Sequence, residues 1–353
     1  MKNSKNSVHF SWQRISLIVL CAVLAIILAA MIFATSYIHH LLSLVTVNGD
    51  DDDINETLSS EQMATATEDP DDNTDFTGPS IGHEDVTIAT LPSIPVEELI
   101  VDGVVNIMLI GEDRRPNQGR QRSDSMILCS FNKNNNSLTM ISFLRDTYVA
   151  IPGYKSQKLN AAYQFGGPNL LDQTLATNFG VHVDANIMIT FDGFKGVIDL
   201  LGGVDIKLTE AEVKHLNKIH NWGLSAGMNH LNGEKALAYS RIRKIDMDAK
   251  RAERQRKVLI ALINNYKSRS LPEMVSLASE ILQTGFVKTD MTSQELVSYV
   301  MALFPMLSDA TINSQQIPAS GTYREYSVGN LSYCKLPDYD INRQILKNIF
   351  TKG

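Results

Sequence analysis

The sequence predicts a domain of the α/β class, in a mixed α+β arrangement, with a central β-sheet flanked by helices. From Val104 onward, short apolar runs alternate with stretches of helical periodicity. The chain before this point differs in composition, because one long apolar run is followed there by an acidic stretch without apolar periodicity. We therefore expect a single domain that follows one membrane-spanning helix.

Charge is distributed unevenly along the 353 residues. Up to Glu98 there are three Lys or Arg residues and fifteen Asp or Glu residues, whereas the remainder contains 29 and 24. The net charge of −7 thus combines −12 in the first part with +5 in the second. A domain charge of +5 tolerates a polyanionic ligand, but it is too small to indicate general nucleic-acid binding, so no nucleic acid is expected as a partner.

The membrane-spanning helix is predicted at residues 15–37. These 23 residues carry no formal charge and are long enough to cross about 30 Å of hydrocarbon. Lys2, Lys5 and Arg14 precede the span, which places residues 1–14 in the cytoplasm and the rest of the chain outside. A cleaved signal peptide is the alternative, although its apolar region is usually only about 7–15 residues long.

Residues 38–98 are predicted to be an acidic, disordered linker. From Asn48 the segment is rich in Asp, Glu, Thr, Ser and Pro, and it contains the block Asp50 to Asp53. Such a composition cannot bury enough apolar surface to fold. About fifty flexible residues reach roughly 35–40 Å, so the linker would hold the domain, residues 99–353, near the membrane.

The elements of this domain follow from the pattern of apolar residues. One helix is predicted to begin near Asp248, with the apolar stripe Val258, Leu259, Leu262, Ile263 and Tyr266. Strands are predicted at 104–111, 125–131, 137–143 and 185–190. Further helices are predicted at 169–179, 191–201, 232–240, 293–304 and 341–350.

Two cysteines, Cys129 and Cys334, lie beyond the predicted span. They could form a disulfide in an oxidising compartment. Cys129 lies in an apolar strand, however, where an unbonded buried thiol is the commoner case.

The chain is richest in arginine between Arg241 and Arg256, where five arginines are interleaved with apolar residues. On the predicted helix, the apolar stripe continues backward onto Arg251, Arg254 and Gln255. Buried cations are costly unless they are paired, and the planar fork of arginine suits phosphate oxygens. A phosphate pocket and a solvated basic helix face are both consistent with this spacing.

Charged residues also follow or precede the predicted strands. Asp113 follows the first strand, Asp124 precedes the second, and Arg145 and Asp146 follow the third. Ligands of α/β sheets gather at such ends. Two carboxylates and phosphate oxygens would suit Mg²⁺. The alternatives are that the aspartates form turns or caps, and that Arg145 and Asp146 form a structural ion pair.

Seven segments, taken in order, resemble the LytR-CpsA-Psr family of cell-wall proteins. The similarity extends from about Val101 to Lys267, and one transmembrane helix before an extracytoplasmic domain is also the usual layout of that family. Leu144 and Ala249-Lys250 depart from the family pattern. The segments are Gly111-Glu-Asp-Arg114, Arg122-Ser-Asp-Ser125, Arg145-Asp-Thr147, Lys158-Leu-Asn-Ala-Ala-Tyr163, Gly202-Gly-Val-Asp205, Leu231 to Arg243, and Asp248 to Gln255.

The resemblance implies a transferase that moves an anionic glycopolymer, such as teichoic acid or capsular polysaccharide, from a polyprenyl-pyrophosphate carrier to peptidoglycan at the cell membrane. It also implies Mg²⁺ or Mn²⁺ at Asp113 and Asp124. If a carboxylate takes the proton of the peptidoglycan hydroxyl, Asp146 is favoured over Asp124, because metal binding lowers the basicity of a carboxylate. The pyrophosphate would be held by Arg122, Arg145, Arg241, Arg243, Arg251 and Gln255, with Asp248 orienting the arginines.

Two other functions remain open from the sequence. One is a membrane-tethered receptor that holds lipid-linked polymers without chemistry, and the other is a pyrophosphatase that hydrolyses the carrier. Carboxylates beside the arginines favour catalysis over binding alone, and the lack of a second strong base mildly favours transfer over hydrolysis.

Overall fold

The computed structural model describes residues 37, 54, 57, 79–86, 91, 96–112, 119–243, 245–246, 248–267 and 269–352. Apart from Tyr37, the predicted span at residues 15–37 lies outside these ranges. Among the residues that the structure describes, no helix combines the length and apolar character needed to cross a bilayer.

Thirteen strands are present in the described part of the chain. They are β1 (Ser80–Ile81), β2 (Val104–Glu112), β3 (Ser123–Asn132), β4 (Ser137–Phe143), β5 (Tyr148–Val149), β6 (Gln157–Lys158), β7 (Ala185–Thr190), β8 (Val204–Leu208), β9 (Gly227–Leu231), β10 (Val287–Thr289), β11 (Thr311–Ile317), β12 (Tyr323–Val328) and β13 (Leu331–Pro337).

Eight helices of the described residues pack around these strands. They are α1 (Leu159–Phe179), α2 (Phe191–Leu200), α3 (Glu210–His220), α4 (Gly233–Ser240), α5 (Asp248–Tyr266), α6 (Leu271–Gln283), α7 (Ser293–Leu307) and α8 (Tyr339–Lys352).

A six-stranded sheet, in the order β10-β7-β2-β3-β4-β11, forms the centre of the fold. Strand β3 is antiparallel to both β2 and β4, whereas β7 is parallel to β2 and β11 is parallel to β4. The last residues of β2, β4 and β7 therefore lie at the same edge as the first residues of β3. The predicted mixed α+β fold with a central sheet is confirmed.

Side chains alternate between the two faces of the sheet along each strand, and this divides the core into two layers. Met108 and Ile110 of β2 pack with α1 and α8 on one face of the sheet. Ile107 packs against α7 on the other face, where Ile127 and Cys129 of β3 pack against α5. Successive side chains of a strand point to opposite faces, so each strand contributes to both layers.

Helix α1 differs most from its predicted bounds. A helix is expected at 169–179, but α1 begins at Leu159. Gly166, Gly167 and Pro168 read as helix breakers, yet they produce a kink rather than an end, with Gly167 at φ +66°. Glycine adopts this conformation without a Cβ penalty, and proline is tolerated in the first turn of the helical segment that follows.

The structure also differs from the predicted linker over residues 79–86. Ser80–Ile81 pairs in parallel with β12, and the Val86 side chain is 6% exposed. This strand pairs with residues more than 240 positions away in the sequence, and no local pattern predicts such a pairing.

Cys129 and Cys334 are both buried and form no disulfide with each other, as favoured from the sequence. Burial raises the pKa of the Cys129 thiol to about 12. This thiol is therefore protonated and unreactive at neutral pH.

Asn342 on α8 provides a test of how the C-terminal segment is held. It is fully buried, its Oδ1 accepts from the Ala319 backbone at 2.8 Å, and its Nδ2 donates to the Asp338 carbonyl at 2.7 Å. We expect Asn342→Ala to lower the free energy of unfolding by about 2–3 kcal/mol, because it leaves a buried backbone amide unsatisfied. Urea unfolding measures this loss, and the exposed Asn348→Ala on the same helix is the control. Equal stability of the two variants would contradict the assignment.

Candidate active site

A cavity of about 380 Å³ lies between the central sheet and the helices on one of its faces. Its volume lies within the range of roughly 300–1,000 Å³ that is usual for small-molecule sites. Most of its wall is apolar, so it suits a hydrocarbon chain better than a polar ligand. The wall includes Leu109, Ile127 and Ile187 from the sheet, and Leu237, Leu259 and Ile281 from α4, α5 and α6.

One part of the cavity wall, here called the polar mouth, is formed by Asp124, Arg241, Arg243, Arg251 and Gln255. All five were predicted as site residues from the sequence, and the structure brings them together. An apolar wall joined to several guanidinium groups is complementary to an amphiphile with an anionic head.

Helix α4 and the residues after it carry two of these arginines to the polar mouth. The helix begins at the Asn232 cap, whose side chain accepts from the Lys235 amide at 3.1 Å, and it ends at Ser240. Arg241 and Arg243 follow directly, and the Arg241 guanidinium lies 4.3 Å from the centre of the Phe191 ring. This cation–π contact orients the guanidinium beside the apolar wall.

Helix α5 supplies the third arginine of the polar mouth, Arg251, together with Gln255 and part of the apolar wall. Arg251 and Gln255 are one turn apart, and Leu259 and Leu262 continue the same stripe. The Arg251 Nη2 donates to the Asp124 carbonyl at 3.4 Å. The solvated-face alternative is not supported, because Arg251 is only 6% exposed.

Behind the polar mouth, four charged side chains form a chain of contacts. The Arg145 Nη1 donates to the Asp124 Oδ1 at 2.7 Å, and its Nε lies 3.7 Å from the Asp146 Oδ2. The Lys158 Nζ lies 3.3 Å from the Asp146 Oδ1. Asp146 and Lys158 are completely buried, whereas the Asp124 side chain is 17% exposed. Asp124 is therefore the member of this chain that a ligand can reach.

This burial argues against Asp146 as an acceptor of the substrate's proton. A proton acceptor must come within hydrogen-bond reach of the reacting hydroxyl, and Asp146 lies between two cations inside the domain. Its position fits a residue that orients Arg145. The sequence did not single out a role for Lys158, although its segment was part of the family resemblance. A lysine beside the apolar Leu159 was the available signal.

Other predicted site residues are not placed at the cavity. The Arg122 Nε donates to Gln164 Oε1 at 3.3 Å, on α1, and Arg122 is not among the described residues that line the cavity. Asp113 lies outside the described residues. Asp248 is the first residue of α5, and its side chain is likewise outside the described part.

The fit of a divalent ion can be judged at Asp124. Its Oδ1 is bonded to Arg145, and its Oδ2 makes no hydrogen bond within the described ranges. That oxygen is suited to one position in an octahedral shell. No group of three or more His, Cys, Asp or Glu side chains in the described ranges is arranged to hold a metal ion.

Comparison with known proteins identifies the group to which the chain is similar. A model of the LytR_cpsA_psr family matches residues 55–348. The polyisoprenyl-teichoic acid–peptidoglycan teichoic acid transferase TagU of Oceanobacillus iheyensis is 33% identical over 249 residues, which cover 68% of this chain and 73% of that protein. The regulatory protein MsrR of Staphylococcus aureus is 28% identical over 254 residues, with 70% and 74% covered.

A solved structure described as TagT bound to LIIa-WTA has a similar fold. Its TM-score is 0.58 and its sequence is 26% identical, with 74% of this chain and 96% of that chain covered. The similarity therefore extends over nearly all of the solved domain.

Asp124 and Asp146 should respond differently to the loss of charge. We expect Asp146→Asn to lower the free energy of unfolding by about 3–5 kcal/mol, because it leaves buried cations without their carboxylate. Asp124→Asn should cost only about 1–2 kcal/mol, because the asparagine Oδ1 can still accept from Arg145 and this side chain is partly exposed. Thermal unfolding of the two variants, with calorimetric titration of inorganic pyrophosphate, checks this. A stable Asp146→Asn variant that alters only ligand binding would place Asp146 at the ligand instead.

Proposed function

This chain belongs to the LytR-CpsA-Psr family, and we propose that it transfers an anionic glycopolymer from a polyprenyl-pyrophosphate carrier to peptidoglycan. The observation that carries the proposal is the joining of an apolar cavity to a polar mouth with three arginines. A polyprenyl chain fits the apolar wall, and the pyrophosphate fits the guanidinium groups.

The relatives support the chemical class of this reaction. TagU is named as a transferase of teichoic acid from a polyisoprenyl carrier to peptidoglycan, and TagT has been solved with LIIa-WTA bound. An enzyme of the glycopolymer-transferase type agrees with both names. The class of polymer carried by this chain's donor is not determined by its residues, because the polymer lies beyond the pyrophosphate.

In the proposed reaction, a hydroxyl of peptidoglycan attacks the phosphorus that bears the glycopolymer. A new P–O bond forms to the acceptor, the P–O–P bond breaks, and the polyprenyl monophosphate leaves. Arg241, Arg243 and Arg251 neutralise the phosphate oxygens, and Arg145 holds Asp124 at the polar mouth. Phosphoryl transfer depends mainly on such positioning and charge stabilisation. The hydroxyl proton passes to solvent.

We further propose that Mg²⁺ or Mn²⁺ is held by Asp124 and Asp113, together with phosphate oxygens of the donor. The support is the Asp124 Oδ2, which accepts no hydrogen bond from the described residues. Such an ion is usually bound by one or two carboxylates with phosphates and water, and it would offset charge on the leaving phosphate.

The proposed location is the cell membrane, with a single pass. Residues 15–37 would form the anchor, residues 1–14 would remain in the cytoplasm, and the catalytic domain would lie outside. This arrangement brings the cavity to the surface on which both the lipid-linked donor and peptidoglycan are found.

The proposal is tested by incubating the full chain in detergent with a labelled polyprenyl-pyrophosphate donor, Mg²⁺ and a peptidoglycan oligosaccharide. We expect a phosphodiester-linked product and no change in the intact mass of the protein. Among the described residues no Cys or His lines the cavity, and the hydroxyls of Ser125 and Ser240 donate to Gln255 Oε1 and to the Leu237 carbonyl, so no base activates them. Without acceptor, slow release of monophosphorylated products to water is expected.

Each alternative function has its own outcome in this assay. Release to water that acceptor does not suppress would indicate a pyrophosphatase, and tight binding without any product would indicate a receptor. A stable polymer-phosphate adduct on the protein would contradict the direct attack. Omission of Mg²⁺ with a chelator tests the metal separately.

The effect of a bulky substitution in the apolar wall should depend on the length of the lipid chain. We expect Ala278→Trp, at the α6 side of the cavity, to weaken binding of a long polyprenyl pyrophosphate about tenfold or more, because it fills space that several methylene groups would occupy. A short-chain pyrophosphate should bind within about twofold of the parent chain, since it does not reach this wall. Calorimetry gives both affinities, and Ala302→Trp, exposed on α7, is the control. Unchanged binding of the long lipid would show that the tail does not reach Ala278, and equal weakening for both lipids would contradict a length-dependent role of this wall.

A further inference from the structure

Two arginines fix the flanks of α5, on either side of the stripe that faces the cavity. On one flank, the Arg254 Nε donates to the Glu212 Oε1 at 2.8 Å, and its guanidinium also pairs with Asp246. Burial opposes ionisation of Glu212, but hydrogen bonds from Thr209 and Arg254 outweigh it and lower the pKa of this carboxyl. The charge of Arg254 is therefore neutralised within the domain.

Arg256, on the opposite flank, has partners of another kind. It is 6% exposed, its Nε donates to the Ser314 Oγ at 2.5 Å, and its Nη1 donates to the Ser142 Oγ at 2.6 Å. Both partners are neutral hydroxyls. Within the described residues, no carboxylate oxygen lies within 4.0 Å of its guanidinium. The nearest acidic influence is Glu253, which is bonded to Lys250 and Lys257 at 2.8 Å each.

A buried guanidinium without a carboxylate is costly for a folded protein. Burial lowers the pKa of Arg256, but an arginine remains ionised in proteins. Two serine hydroxyls would be satisfied equally well by a neutral side chain such as glutamine. The hydrogen bonds alone therefore do not account for an arginine at this position.

The surroundings of Arg256 indicate where its charge acts. It directly follows Gln255, which lines the polar mouth, and it is five residues after Arg251 on the same helix. Its partner Ser142 lies on β4, three residues before Arg145. Arg256 thus joins the helix that carries Arg251 and Gln255 to strand β4, which leads into the turn that contains Arg145. Charges in a buried environment are weakly screened, so its effect extends to this neighbourhood.

We propose that Arg256 is a positioning residue for the donor pyrophosphate, which holds α5 against β4 and stabilises the bound pyrophosphate by its unneutralised charge. The inference rests on the proposed function. Arg256 does not line the cavity, so it acts on the ligand through the field of its charge and through the placement of Arg251 and Gln255. A purely structural tie between helix and sheet would depend on the hydrogen bonds and not on the charge.

Two substitutions separate these roles. Arg256→Gln keeps hydrogen-bonding capacity without charge, whereas Arg256→Lys keeps the charge with a different donor geometry. The full chain in detergent is titrated with farnesyl pyrophosphate by calorimetry, in low salt and in high salt, and its thermal unfolding is recorded. Lys257→Gln is the matched control, because it removes the same charge from the next, exposed residue.

We expect Arg256→Gln to weaken farnesyl pyrophosphate binding about tenfold or more, in both salt conditions, without a loss of thermal stability. Arg256→Lys should stay within about threefold of the parent chain, since the charge is retained. The Lys257→Gln control should change affinity by less than about twofold, and high salt should abolish even that change.

Two results would overturn the inference. One is an Arg256→Gln variant that binds like the parent chain, and the other is a loss of affinity in both variants that follows a loss of thermal stability. Failure of the proposed function looks different, because the parent chain itself would then not bind farnesyl pyrophosphate, and the inference would fall with it.

Discussion

The ion-pair chain from Lys158 through Asp146 and Arg145 to Asp124 connects the interior of the domain to the cavity. Its geometry depends on segments that are distant in the sequence. The Lys335 amide donates to the Asp146 carbonyl at 2.9 Å, and β5 pairs with β6, which ends at Lys158. The C-terminal hairpin and the start of α1 therefore both hold the turn after β4. Charged groups inside a protein are tolerated when they are fixed in this way.

Helix α5 combines two properties that usually occupy separate elements. Leu259 and Leu262 belong to the apolar wall, and Arg251 and Gln255 on the same stripe belong to the polar mouth. The buried arginines on its flanks fix its rotation about its axis, because each is bonded to a different part of the domain. A rotation of α5 would displace the apolar surface and the anion-binding surface together. The affinity for the two halves of a ligand is therefore coupled through one helix.

Much of this arrangement was predictable from the sequence, and the exceptions have physical reasons. Four strands of the central sheet, six of the eight helices in the described part of the chain, and the convergence of Arg241, Arg243 and Arg251 follow from local periodicity and from the family resemblance. The ordered segment at Ser80–Ile81 was missed because its partner strand is remote. The burial of Asp146 was missed because a charged residue in a strand-end turn gives no sign of which side faces solvent.

The apolar wall of the cavity should distinguish lipid-linked sugar donors from nucleotide-linked ones. Cells also activate sugars as nucleoside diphosphates, whose pyrophosphate would suit Arg241, Arg243 and Arg251 equally well. Their base and ribose would, however, enter the region walled by Leu237 and Leu259, where hydroxyl and amide groups lose their hydration without gaining partners. Desolvation of each such group costs about 1–3 kcal/mol in a protein. Under the proposed function, soluble nucleotide sugars would be rejected by the apolar surroundings of the phosphates and not by the phosphates themselves.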